Sequence, residues 1–185
     1  MEEGRVERLV EDFKRLRPDI DPRTKAVGAR LLHLSDLVQR YYGAVCECFD
    51  VSLTGLGVLT ALARSAPREL TLTELNREIL VTSGGITFVV VRLETRGLVI
   101  KRLHPNDGRA VLVQLTRRGR KVADQLIDAV ALADEAALAH LSISDLPTAD
   151  KLLTRLQTGI ESAMSIQPEM RSGAEALGRS SGASR

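Results

Sequence analysis

The chain has no tryptophan, and aromatic residues make up only 3% of its 185 positions. Its core must therefore be built from leucine, valine, isoleucine and alanine, which favours helices packed on helices. Cysteine occurs twice, at Cys46 and Cys48, and histidine three times, at His33, His104 and His140. Two cysteines two apart on a helix project to nearly opposite sides and do not bridge each other, and no spacing suits a zinc site. They read as buried structural thiols, with no basic neighbour in sequence to activate them. There is no run of about 18 apolar residues, so no membrane-spanning helix is expected. The opening MEEGRVERLVEDFKRL has no secretory-signal pattern, which makes the cytoplasm the expected compartment. No nucleophile–base pair, metal-ligand spacing or phosphate-cradling glycine loop is readable, so neither an enzyme nor a cofactor nor a metal is expected.

Net charge is also nearly absent, at +2. Its distribution is uneven. Between positions 98 and 121 stand Lys101, Arg102, Arg109, Arg117, Arg118, Arg120 and Lys121 against the single anion Asp107. That is a local excess of the sign a phosphate backbone requires, and the rest of the chain is net acidic.

What is present is periodic. Val6, Leu9, Val10 and Phe13 give a short amphipathic helix that Pro18 and Pro22 end. Asp21 followed by Pro22 is a helix start, cap then first residue. Val27, Leu31, Leu34, Val38, Tyr41, Val45 and Phe49 then trace a narrow stripe, suited to a partner helix or to packing within the chain's own domain. Ser52 caps a further helix, and Thr71-Leu72-Thr73-Glu74 has the capping-box pattern of another. From Thr82 or Ser83 to Gly97 a helix is expected with Ile86, Val90 and Leu93 inward, although Ile86 to Val91 is rich in strand-forming residues. Val99 to His104 and Arg109 to Leu115 alternate around Pro105-Asn106-Asp107-Gly108, a hairpin. Thr116 caps a long helix, and a last helix carries Leu153, Leu156, Ile160 and Met164. Helix, turn, helix, basic hairpin is the order of a winged helix-turn-helix. The expected fold is mainly α with a small β wing.

Thr71-Leu72-Thr73-Glu74-Leu75, Thr82-Ser83-Gly84-Gly85-Ile86-Thr87, Arg92-Leu93-Glu94-Thr95-Arg96-Gly97-Leu98-Val99, Asp107-Gly108-Arg109 and Leu115-Thr116-Arg117-Arg118-Gly119 together resemble the MarR family of bacterial transcription regulators over about residues 25–165. The resemblance implies a homodimeric repressor that interlocks through its N- and C-terminal helices. It also implies a double-stranded, pseudo-palindromic operator that is released when a small ligand binds. The implied organisation is an extension helix over 1–20, a dimerisation helix over 21–50, the winged DNA-binding domain over 51–116, C-terminal dimerisation helices over 117–166 and a disordered tail over 167–185. The extra N-terminal helix, the link from Arg17 to Pro22 and Ser83-Gly84-Gly85 resemble the urate-responsive branch. The ligand residues of that branch are mostly replaced: Phe13 stands for a Trp, Gly57 for an Asp, and Phe88-Val89 for an Arg.

Candidate DNA contacts are Thr73, Thr82, Ser83 and Gly84 at the helix entries, and Thr87, Phe88, Val91 and Arg92 on the recognition helix. In the wing they are Lys101, Arg102, Asp107 and Arg109. Ser83 and nearby N–H groups suit phosphate. Phe88 and Val91 cannot hydrogen-bond, so they would read thymine methyl groups or shape, unless Phe88 packs inside the protein. The resemblance assigns Asp107 to hold Arg109 for the minor groove. His33, Asp36 and Arg40, at i, i+3 and i+7, and Gly57 are candidates for a small anionic or phenolic effector, with exposed polar residues beside a helical seam as the alternative. A winged-helix protein-interaction module without DNA binding is the second functional expectation.

Overall fold

Proline sets where the first two helices meet. α1 (Arg5–Leu16) stops before Pro18, and α2 (Pro22–Glu47) starts on Pro22. The carboxylate of Asp21 accepts the Arg23 N–H at 2.9 Å and so satisfies one of the free donors of that first turn. α2 runs for 26 residues and closes at Asp50, whose φ of 52° is left-handed, a conformation that Asp tolerates better than most residues. The computed structural model describes residues 4–67, 69–79 and 85–165, which fall into two compact units dividing after Glu135. Thr82, Ser83 and Gly84, and the tail expected over 167–185, lie outside the described residues.

In the first unit, α3 (Leu53–Ser65) opens on Ser52, whose hydroxyl accepts the Gly55 N–H at 3.1 Å. β1 (Leu70–Thr71) leads directly into α4 (Leu72–Glu78) through the capping box read in the sequence. Thr71 and Glu74 each bond the other's backbone N–H. α5 (Ile86–Thr95) is followed by β2 (Val99–His104) and β3 (Asp107–Leu115), and then by α6 (Arg117–Leu138). The three strands form one antiparallel sheet in the order β1-β3-β2. The hairpin turn is tighter than the four-residue turn expected. β3 already begins at Asp107, which pairs with His104 across an irregularity after Leu103.

The core is aliphatic, as the lack of aromatics requires. Val58, Leu59 and Leu62 of α3 meet Leu75, Val90, Leu93, Val99, Val113 and Leu126 in one buried cluster. The run Ile86 to Val91 is helical although its residues favour strands, because burying Ile86 and Val90 against this cluster outweighs a few tenths of a kcal/mol of propensity per residue, on the order of 2 kcal/mol for each side chain buried.

The winged part is knotted together at Gly97-Leu98. Gly97 has φ +67°, and its N–H reaches the Glu94 carbonyl while that of Leu98 reaches the Leu93 carbonyl, the double bond of a Schellman stop. The Leu98 carbonyl accepts the Thr116 N–H at 3.0 Å, and the Thr116 hydroxyl donates to the Gly97 carbonyl at 2.7 Å. That hydroxyl also accepts the Gly119 N–H at 2.9 Å, capping α6. Gly119 is there because α6 lies directly on the Leu98 backbone.

α2 is joined to α6 by two phenols. Tyr41 donates to the Ala133 carbonyl at 3.1 Å, and Tyr42 is bonded to the Asp134 carboxylate, which pushes its phenol up to about 12. Much of the apolar stripe on α2 is exposed among the described residues, at Val27, Leu34 and Val38 with Leu37 beside them, while Leu31, Val45 and Phe49 are partly buried. In the second unit, α7 (Leu146–Ser165) buries none of its residues, and Leu152, Leu153, Ile160 and Met164 are exposed. No helix of the described residues is long and apolar enough to cross a membrane.

A methyl group at position 119 would overlap the Leu98 carbonyl, and backbone on both sides leaves nothing flexible to yield. Gly119→Ala should therefore cost about 3 kcal/mol or more, read as a lowered urea midpoint. A midpoint within error of wild type would show that α6 does not rest on this peptide.

Candidate nucleic-acid interface

α5 separates its residues cleanly by face. At 100° per residue, Ile86, Val90 and Leu93 point to the core and are buried, which leaves Thr87, Phe88, Val91, Arg92 and Thr95 facing outward. Phe88 is 73% exposed and Val91 42%. Phe88 thus does not pack inside the protein, which removes that alternative. The helix begins later than expected. Gly85 is its N-cap, and the Gly85 carbonyl accepts the Phe88 and Val89 N–H groups. The candidates Thr82, Ser83 and Gly84 are outside the described residues. Thr73 is exposed on the first turn of α4.

The cations divide into two groups. Arg92 is paired with the Asp50 carboxylate at 3.1 Å, and Arg96 reaches the same carboxylate at 3.3 Å and the Phe49 carbonyl at 3.0 Å. This clamp ties the end of α5 to the end of α2. Lys101 on β2 is paired with Glu94 of α5 at 2.8 Å. Arg102 is gripped by both oxygens of Glu69, one at 2.7 Å from its Nε. The Glu69 side chain is only 13% exposed, and the guanidinium beside it holds its carboxyl below the usual glutamate range.

Arg109, Arg117, Arg118 and Lys121 are exposed and have no carboxylate partner among the described residues. At the wing tip, Asp107 accepts the backbone N–H of Arg109 at 3.0 Å rather than its guanidinium. The aspartate shapes the turn, and the arginine side chain is left extended into solvent. Asp50, Glu69, Glu94 and Arg96 are the contributors that sequence reasoning missed. Only the helix-ending position of Asp50 signalled any of them.

The effector candidates are not all gathered. His33 and Asp36 line an open groove of about 290 Å³ between α1 and α2 with Val6, Leu9, Lys25 and Leu32. Arg40 bonds Asp36 at 2.9 Å but does not line the groove. Gly57 is elsewhere, on α3, where a side chain would meet Ile79 of the α4 end at 2.8 Å. Packing accounts for that glycine, which lines a separate groove with Leu53, Leu56 and Thr60. Of the two cysteines, Cys46 is buried and its thiol is pushed up by burial, whereas Cys48 is exposed, contrary to expectation. Among the described residues no group of three or more His, Cys, Asp or Glu is arranged to hold a metal.

Comparison with known proteins bears on the same segment. A family model described as the MarR family matches residues 49–110. An uncharacterized HTH-type transcriptional regulator, YkoM of Bacillus subtilis, is 30% identical over 89 residues, covering 48% of this chain and 56% of the relative. The chain spans little more than half the length of the first curated relatives it matches. Among solved structures, a MarR variant from E. coli complexed with operator DNA is 26% identical with a TM-score of 0.60, over 69% of this chain and 91% of that one. The PcaV transcriptional regulator from Streptomyces coelicolor, in complex with its natural ligand, is 26% identical with a TM-score of 0.61, over 71% and 91%.

The grip of Glu69 on Arg102 has a pH signature. Because the folded carboxyl is depressed, the stabilisation is complete above the ordinary glutamate range and is lost as pH falls through the lowered value. The thermal midpoint of wild type should exceed that of Glu69→Gln at neutral pH, and the gap should close on acidification. A gap independent of pH would mean that the pair contributes nothing.

Proposed function

We propose that the chain is a member of the MarR family and a cytoplasmic, sequence-specific DNA-binding transcription regulator, a homodimeric repressor released from its operator by a small ligand. The observation that carries this reading is the pairing of an outward α5 face with an unpartnered Arg109 at the tip of the wing. A helix exposed on one side suits the major groove, and an arginine free of carboxylates suits the adjacent minor groove, where narrow A·T tracts attract it. Arg117, Arg118 and Lys121 would meet phosphates.

The exposed part of the apolar stripe on α2, with Leu152, Leu153 and Ile160 of α7, supports a second copy of the chain as the dimerisation partner. A two-fold dimer would present two recognition helices, so the operator would be a pseudo-palindrome with half-sites about one helical turn apart. The effector would be small and anionic or phenolic and would sit in the α1–α2 groove beside Lys25 and His33. It would act by favouring a dimer whose helices are splayed away from the groove spacing. A second reading, a winged-helix module that binds protein instead, draws on the apolar Phe88 and Val91 and on the carboxylates that occupy Arg92, Lys101 and Arg102.

Binding to the DNA upstream of the chain's own gene separates the two, with affinity measured by fluorescence anisotropy across a salt series. Log affinity should fall linearly with log salt, and Arg109→Ala should lower that slope by about 0.9. Light scattering should return twice the 20.2 kDa chain mass. Salt-insensitive or absent binding would leave the protein-interaction reading standing.

A further inference from the structure

The outward face of α5 is poor in groups able to read hydrogen-bonding edges of bases. Arg92 is held by Asp50, and the Thr95 hydroxyl is turned back onto the Val91 carbonyl at 3.0 Å. Thr87 alone remains as a hydroxyl on that face. Between these stand Phe88, nearly opposite the buried Val90–Leu93 side, and Val91, both exposed. Exposing a phenylalanine and a valine on a short helix has a cost in water, and none of the described residues of the first unit buries them. The same winged unit carries Arg109, Arg117, Arg118 and Lys121 exposed and without a carboxylate partner among the described residues, which suits an occupant that is a polyanion and also presents apolar groups.

Duplex DNA presents one such group in its major groove, the C5-methyl of thymine. We infer that Phe88 and Val91 are specificity-determining residues that recognise pyrimidine 5-methyl groups, so that selectivity rests on methyl contact rather than on hydrogen bonds to base edges. This rests on the DNA-binding reading and names what that face recognises. It extends to 5-methylcytosine, which carries the same methyl at the same place in a G·C pair.

The test uses the full chain and two matched pairs of duplex copolymers: alternating dA–dT against dA–dU, and alternating dG–dC against its 5-methylcytosine form. Each pair keeps base pairing and charge and differs in the methyl. The methylated member should bind tighter in both pairs, by about fourfold for each methyl buried. The doubly substituted chain, Phe88→Ala with Val91→Ala, should lose both preferences and keep its salt slope. It should fold, since both side chains are exposed and alanine is the better helix former. Equal affinity within each pair overturns the inference and leaves DNA binding intact, as does a preference that survives the double substitution. Absence of salt-dependent binding to all four duplexes overturns the DNA-binding reading and this inference with it.

Discussion

The backbone of Gly97-Leu98 is the point on which the winged part depends. One peptide segment ends α5, starts β2, receives the end of β3 through Thr116 and supports the first turn of α6 through Gly119. Four elements thus share hydrogen bonds at a place with no freedom to shift. A change in the helix stop would move the wing, and a change in α6 would move both. The relative placement of α5 and the β2–β3 wing is fixed here by backbone hydrogen bonds as well as by side-chain packing.

Charge plays a different part from the one that bulk composition suggests. Near the interface, the arginines and lysines closest to the body of the fold are each matched to a carboxylate: Arg92 to Asp50, Lys101 to Glu94 and Arg102 to Glu69. These pairs orient elements. Arg109 at the wing tip and Arg117, Arg118 and Lys121 at the start of α6 are exposed without a carboxylate partner among the described residues. An exposed pair such as Arg92 with Asp50 adds little stability, and its value is in direction, whereas Glu69 is largely covered and its pair with Arg102 is the one expected to stabilise. A surface that is nearly neutral in total therefore keeps an unneutralised rim.

Local signals in the sequence transferred well to the structure. Asp21 with Pro22, Ser52, the Thr71–Glu74 box, Gly97 and Thr116 mark helix boundaries where the structure has them, because a cap involves residues within a few positions of each other. The inward set Ile86, Val90 and Leu93 was equally legible, since period and burial coincide. What failed was longer in range or finer in scale. α5 is described from Ile86 with Gly85 as its cap, while the expected caps Thr82 and Ser83 lie outside the described residues. Asp107, expected to hold Arg109, accepts the backbone N–H of that residue, a local bond whose choice of donor the sequence does not specify. Cys48 was expected inside, yet helical phase places it opposite Cys46, and only one side of that helix end is covered. The pairing of Glu69 with Arg102 spans 33 positions and has no sequence signature at all.

α2 is the longest described element, and the turn that follows it is tied to α5 through Asp50. Twenty-six residues make a rod of about 39 Å. Its C-terminal half is held twice, to α6 through Tyr41 and Tyr42 and to α5 through Asp50. One stiff rod therefore couples two elements of the winged part, and a tilt of α2 would load the bonds to both at once.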